Sequence, residues 1–407
     1  MKILHICYSD GGGAGTAAVR LHKGLLEIGV QSKMLVLNRN SGNERDIFEF
    51  PKGNRIGLLL IRILKKLGFP QTLEHKNDNN YRNFTGHFEF FSFAKTSYSH
   101  LASHELVQES DVINLHWVPN FLDYSTFFNL LKKPIVWTQH DMNAFQGGFH
   151  YKGDSLRNRH LDQIDGEQYQ CKKLGLSHLR DADMTIVSPS KWIQQEALQS
   201  ENLARFNNVV IPNGIDQSIF KYSAGDPIKR TMNLSLNKIT VLFISETIRS
   251  FRKGFDFVTQ LVNDPTINSK FEFIAVGNIP SKEKNPNIRY LGSIKSESEI
   301  SQVYSAADIY LLPSREDNLP NVMLESLAVG TPVVGFKIGG LQDLIENGVN
   351  GYLAEELTLE SLRNALMVCA NNLAQFNREG IAEKIGEKYN LKVQANHYHR
   401  IYQEMIK

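Results

Sequence analysis

The chain has 407 residues, enough for two domains of ordinary size with cores of their own. It is 42% apolar and 22% charged with a formal net charge of +2, a globular make-up with nothing global that points to nucleic acid. Cys7, Cys171 and Cys369 stand far apart and imply no disulfide framework, and no apolar run approaches membrane-spanning length. The start, MKILHICYSDGGG, carries one basic residue and runs straight into a strand and a glycine turn. That is not a signal peptide, and a reducing cytoplasm is the expected setting.

Ile3 to Tyr8 read as a buried strand, and Asp10 to Gly15 as a flexible turn feeding a helix from Thr16 to about Ile28. Glycines at a helix start let the backbone approach an anion, although a plain tight turn gives the same pattern. The spacing is not the dinucleotide fingerprint. Lys33 to Leu37 form a second strand. Residues 40 to 100 are less regular. Within them, Lys52 to Leu67 places Arg55, Arg62 and Lys66 on one narrow helical face against a wide apolar arc. Such a helix either packs into a core with a solvated stripe or lies on an anionic bilayer. The aromatic block Phe84 to Phe93 fits an apolar acceptor surface or simple packing.

Asp111 to Leu115 and Pro134 to Thr138 are short strands leading into His116-Trp117 and into Gln139-His140-Asp141-Met142. Both histidines therefore fall at strand ends, the functional edge of a parallel sheet. Asp183 to Pro189 form a strand, Ser190 opens a helix, and Val209 to Pro212 lead to a turn at Asn213 to Asp216. Tyr222 to Asn237 is polar, holds Gly225 and Pro227, and reads as a linker.

The alternation then restarts with a strand from Ile239 to Ser245, a basic loop from Glu246 to Gly254, and a helix from Phe255. Arg249, Arg252 and Lys253 before Gly254 suit a diphosphate at a helix N-terminus better than a merely solvated loop. Strands follow at Phe271 to Val276 and Ile288 to Leu291, then a helix from Ser296 to Ala306. Ile309 to Leu312 are a strand, Ser314 to Asn318 a polar loop, and Pro320 the first position of a helix capped by Asn318 or Asn321. That helix stops at Gly330, and Pro332 to Phe336 are the next strand, closed by Gly339-Gly340. Strand, loop, helix and strand make one right-handed crossover unit. Gly348 to Leu353 are a last strand, and helical patterns run to Lys407.

Two acids stand out in this unit. Asp317 lies on the loop, and Glu325 lies about 7 Å along the helix from Pro320, leaning back toward it. Exposed helix-start amides attract a phosphate, and carboxylates beside it suit hydroxyl groups, so the pattern fits a sugar joined to phosphate. The plainer alternative has Asp317 capping the helix and Glu325 pairing with a basic neighbour.

Asp317-Asn-Leu-Pro-Asn-Val-Met-Leu-Glu325, with the ensuing Ala-Val-Gly-Thr-Pro-Val-Val, resembles the signature of family-4 retaining glycosyltransferases of the GT-B fold. There two acids flank seven residues; Asp317 stands where the family usually has Glu. Asn114-Leu-His-Trp and Pro134 to Met142 resemble the colanic-acid and capsule branch of that family. The resemblance covers essentially the whole chain and is weakest between residues 40 and 100. It implies an α/β chain of two Rossmann-like parallel-sheet domains facing a central cleft. The first, residues 1–222, lies on the acceptor side and is completed by about 388–407, the final helix crossing back. The second, 238–387, binds the donor.

Site residues follow from the same resemblance. His140 lies near the donor's anomeric carbon with Asp141 orienting its ring, and His116 lies toward the acceptor. Gly12 and Gly13 face the diphosphate and acceptor. Lys253 and Arg252, rather than Arg249, hold the leaving pyrophosphate, and Ile294 contacts the base. Asp317 and Glu325, with Asn318, Leu319 and Pro320, hold the sugar and ribose. Members of the branch often carry a cysteine cluster after Gln146-Gly-Gly-Phe-His-Tyr151. Here only Cys171 remains, so no structural metal is expected.

The implied activity is retaining, metal-independent transfer from a UDP- or GDP-linked sugar, a co-substrate rather than a cofactor. The acceptor is a glycan or lipid-linked oligosaccharide, in surface-polysaccharide assembly at the inner membrane face. A nucleotide-sugar epimerase of the same fold and a catalytically degenerate sugar-binding subunit are the rival expectations.

Overall fold

The structure is a computed structural model and describes residues 1–40, 44–51, 73–247, 250–279 and 284–407. The basic helix expected over 52–67 and Arg249 lie outside the described residues. The chain divides into two compact units, Met1–Ile211 with Gln394–Lys407, and Pro212–Val393.

The first unit is built on seven strands: β1 (Lys2–Ser9), β2 (Gln31–Asn38), β3 (Ile47–Glu49), β4 (Val112–Leu115), β5 (Ile135–Thr138), β6 (Met184–Ser188) and β7 (Asn207–Val210). Their order is β3-β2-β1-β4-β5-β6-β7 and the pairings are parallel. Short strands such as β4 and β5 are buried at every position, as a sheet covered on both faces requires. One helix cover is Gly12–Glu27, which starts inside the glycine run, four residues before the expected Thr16. Another is the final helix, Leu391–Met405. Its Ala395, Tyr398 and Tyr402 are fully buried in one cluster with Ile3, Leu21, Val112 and Val136. The Tyr402 hydroxyl accepts from Asn114 Nδ2 at 2.7 Å, and the Tyr398 hydroxyl meets Thr138 Oγ1 at 3.0 Å. Residues Gln394–Lys407 thus group with the first unit.

The second unit has six strands: β8 (Ile239–Thr247), β9 (Phe271–Asn278), β10 (Ile288–Gly292), β11 (Ile309–Leu312), β12 (Val333–Phe336) and β13 (Gly351–Ala354). The order β10-β9-β8-β11-β12-β13 is again parallel throughout. The stretch read as a linker contains a helix, Gly225–Thr231. Its Lys229 ammonium bonds Asp308 Oδ2 at 2.6 Å, just before β11. The division into compact units falls after Ile211, and the stretch read as a linker belongs to the second unit.

In both sheets strand order reverses at one place, between β1 and β4 and between β8 and β11. Ligands in such sheets sit at the carboxyl ends beside that reversal. The loops there are Ser9–Gly11 with His116, and Ser250–Gly254 with Pro313–Asp317.

Candidate functional site

In the second unit the local sequence brings the cations to Asp317. Gly254 adopts φ +72°, and a Cβ there would meet the Pro313 carbonyl oxygen at 2.0 Å. Only glycine lets the loop after β8 press on the end of β11 in this way. Lys253 Nζ then lies 2.7 Å from Asp317 Oδ2, and Arg252 Nη1 lies 3.3 Å from Asp317 Oδ1. Ser314 donates to the same carboxylate at 3.1 Å, and Arg252 also donates to the Glu316 carbonyl at 2.9 Å. Burial pushes the Asp317 acid up, but Lys253 and Arg252 outweigh it and hold the carboxyl below its ordinary range. From the other side, Gly339 has φ +48°, and a Cβ there would fall 1.7 Å from the Asp317 carbonyl oxygen. Gly340 N–H donates to the Asn318 carbonyl at 2.7 Å. The acid loop is therefore gripped by two glycine-bearing turns.

The helix after the loop runs Asn321–Ala328, with Pro320 as its cap residue rather than its first turn. The N-cap residue, Pro320, makes no side-chain cap bond, and the Asn321 side chain accepts from Asn213 Nδ2 at 3.0 Å. Asp317 pairs with cations instead of capping. Glu325, nearly buried, accepts from the Tyr304 hydroxyl at 3.1 Å rather than being held by a basic group in that contact. Burial first, then the charges of Glu325 and Asp317, raise the Tyr310 phenol well above its usual pKa, which places both acids around that strand residue. Asn318, Leu319 and Pro320 are buried, and Ile294 packs on the rim of the core. No contact joins Ile294 to the Lys253–Asp317 group among those described.

In the first unit, the turn after β1 is braced by Asn40, whose N–H donates to Asp10 Oδ1 at 2.6 Å. Of the glycines, Gly15 is the sterically compelled one, since a Cβ would meet the Ser9 carbonyl at 2.5 Å. Gly12 (φ +70°) is exposed, and Gly13 has open space around its Cβ position. Beyond β4 and β5, His116 Nδ1 meets His140 Nε2 at 3.0 Å with the rings stacked, and His5 Nδ1 meets His116 Nε2 at 2.9 Å. Burial lowers His116 well below its usual pKa and His140 to about 4. Both are neutral at pH 7.

Asp141 does not serve His140 in the expected way. Its Oδ2 takes Trp117 Nε1 and His150 Nδ1, each at 2.6 Å, and its Oδ1 takes the Asn143 N–H at 2.9 Å. Burial opposes the carboxylate, yet these partners, His150 foremost, keep its pKa lowered. The ring it orients is that of His150, while it acts on His140 through charge. His116, Trp117, His140 and Asp141 line one small pocket in this unit. Phe90, 42% exposed, lies edge-on to Trp117, and Phe91 and Phe93 are buried packing. His5, His150 and Ser314 were not singled out from sequence. His150 lies in the Gln146-Gly-Gly-Phe-His-Tyr151 segment, but a histidine inside β1 gives no signal. Among the described residues, no group of three or more His, Cys, Asp or Glu is arranged to hold a metal.

Two sheets of this order define the GT-B class. Residues 238–372 match the family model described as glycosyl transferases group 1, the type that the acid-bearing segment resembles. A lipopolysaccharide 1,2-N-acetylglucosaminetransferase of Salmonella typhimurium is 25% identical over 51% of this chain and 57% of its own length. A D-inositol 3-phosphate glycosyltransferase of Streptosporangium roseum is 24% identical over 54% and 52%. The chain thus spans little more than half the length of these curated relatives. Anabaena HepE, solved in complex with UDP-glucose, matches over 99% of this chain and all of its own, with TM-score 0.69 and 16% identity. A sucrose-phosphate synthase from Thermosynechococcus elongatus matches over 100% and 99%, with TM-score 0.68 and 16% identity.

Proposed function

We propose that this protein transfers a sugar from a nucleotide-sugar donor to a hydroxyl of a glycan or lipid-linked acceptor, with retention of anomeric configuration, in surface-polysaccharide assembly. The observation that carries this reading is the convergence of Lys253 and Arg252 on Asp317 at the strand-order reversal of the second unit. The family match over 238–372 and the UDP-glucose named for HepE support a nucleotide-sugar donor. The Salmonella relative's activity supports a surface-glycan acceptor.

In this reading the bond from the anomeric carbon to the β-phosphate oxygen breaks, and the acceptor oxygen bonds that carbon on the same face. The acceptor's proton passes to the departing phosphate. Negative charge grows on the nucleoside diphosphate, and Arg252 and Lys253 stabilise it as preorganised cations, without a divalent ion or further cofactor. Lys253 is suited to this: its ammonium has three donors, Asp317 takes one, and the side chain is 21% exposed. Asp317 fixes the position of both cations. Glu325, on the helix that follows, serves donor hydroxyls in this reading. His140 keeps the substrate-facing role implied by the resemblance.

The test is release of nucleoside diphosphate from UDP- and GDP-sugars, measured with and without a lipid-linked acceptor. Acceptor-dependent release supports transfer, acceptor-independent release points to the epimerase, and none to a binding subunit. Lys253→Ala is expected to lower release about 10²–10³-fold with the circular dichroism unchanged. Near-normal turnover in that variant would remove the assignment.

A further inference from the structure

Resting on the substrate-facing reading of His140, we propose that His5 is a positioning residue that acts through His116 to place the proton of His140 on Nδ1. The three rings form one hydrogen-bonded row, His5 Nδ1 to His116 Nε2 at 2.9 Å and His116 Nδ1 to His140 Nε2 at 3.0 Å. Each is desolvated and neutral at pH 7, so each carries one N–H and one lone pair. A nitrogen–nitrogen hydrogen bond needs a donor on one side only. The choice made at one end therefore propagates along the row, and two registers exist.

The buried end decides between them. His5 is 0% exposed, and its Nε2 has no hydrogen-bond partner among the described residues. In one register that atom is a bare N–H; in the other it is a bare lone pair. Among backbone groups an orphaned buried N–H is rarer than an under-satisfied acceptor, and we extend that preference to the ring nitrogen. The lone pair therefore sits on His5 Nε2. His5 Nδ1–H donates to His116 Nε2, His116 Nδ1–H donates to His140 Nε2, and the remaining proton of the row is on His140 Nδ1.

The neighbours agree. His22, edge-on to His5 at 6.0 Å, must donate its Nε2–H to the Arg45 carbonyl and accept from Ser32 Oγ through Nδ1, so its own nitrogens are engaged elsewhere. The Asp141 carboxylate accepts from Trp117, His150 and the Asn143 N–H. In this register His140, which lines the pocket, has its Nε2 lone pair engaged by His116 and its proton on Nδ1. It does not abstract the acceptor's proton.

Histidine-selective ¹⁵N labelling of the full chain tests this, with His140 assigned by loss of its signals in His140→Gln. In the wild-type protein His116 and His140 are expected to show protonated Nδ1 and unprotonated Nε2 at pH 7.5. Protonated Nε2 on either ring would overturn the proposal. His5→Phe is expected to move both rings toward averaged tautomer shifts, and His5→Asn, whose amide N–H can replace Nδ1–H, to restore them. An unchanged pattern in His5→Phe would remove His5 from the role. The shifts are read without donor or acceptor, so their failure is distinct from failure of the transfer assay.

Discussion

Asp317 shows how little of a residue's role is written in its spacing. The seven-residue interval to Glu325 marked both acids, and the shorter side chain at 317 was visible as a departure. That the carboxylate bridges Lys253 and Arg252 was not, because its partners come from a loop 64 residues earlier in the chain. Backbone shape at single residues makes this meeting feasible. Gly339→Ala is expected to cost more than the ~1–2 kcal/mol of a left-handed residue, since its Cβ would also strike the Asp317 carbonyl. Its melting temperature should fall by several degrees, with weaker thermal stabilisation by UDP-sugars. Gly13→Ala, helical and with open space around its Cβ, should leave the melting temperature unchanged or raise it slightly.

At the level of elements, most strands fell within a residue or two of the expected positions, because short apolar runs bounded by turn residues suit strands buried on both faces. Helix ends were harder. Pro320 and Asn321 shifted by one place, and the Gly225–Thr231 helix was read as a linker, since capping and polarity report local preference and not what packs behind. The helix Asp162–Leu176 adds a contact that no periodicity suggests. Its Lys172 is fully buried, and the ammonium donates to the Asn143 and Gly147 carbonyls, which ties the loop after β5 in place. Desolvation pushes that ammonium down to about 7. Lys172→Met keeps the apolar stem but strands two carbonyls, at about 1–3 kcal/mol each. A lower midpoint in chemical denaturation checks it; an unchanged midpoint would show that the loop has other support.

For the whole molecule, four buried histidines and two paired aspartates pull in the same direction between neutral and acid pH, with the raised Asp165 carboxyl a smaller opposing group. His5, His22, His116 and His140 have pKa values below the unfolded value, so between about 6.5 and their folded values the unfolded chain binds more protons. Stability therefore falls as pH drops through that window, by up to about 1.4 kcal/mol per pH unit for each histidine titrating only in the unfolded state. Asp141 and Asp317, with lowered pKa values, contribute stability above the unfolded carboxylate range and lose it as pH falls through their folded values. Both classes act together. The melting temperature is expected to decline from pH 7 to pH 5 and faster below, and a flat profile would contradict the buried neutral row.

Alone, the sequence determined the alternation of strand and helix, the two parallel sheets, the family resemblance and the chemical kinds of residue at the strand ends, because these follow from local apolar pattern and short motifs. Tertiary structure decided who meets whom: the last helix completing the first unit, Lys253 and Arg252 closing on Asp317, Asp141 turning to His150, and His5 joining His116 and His140. Those pairings depend on strand order and on the close approach of loops distant in the chain, and neither is encoded within any single window of residues.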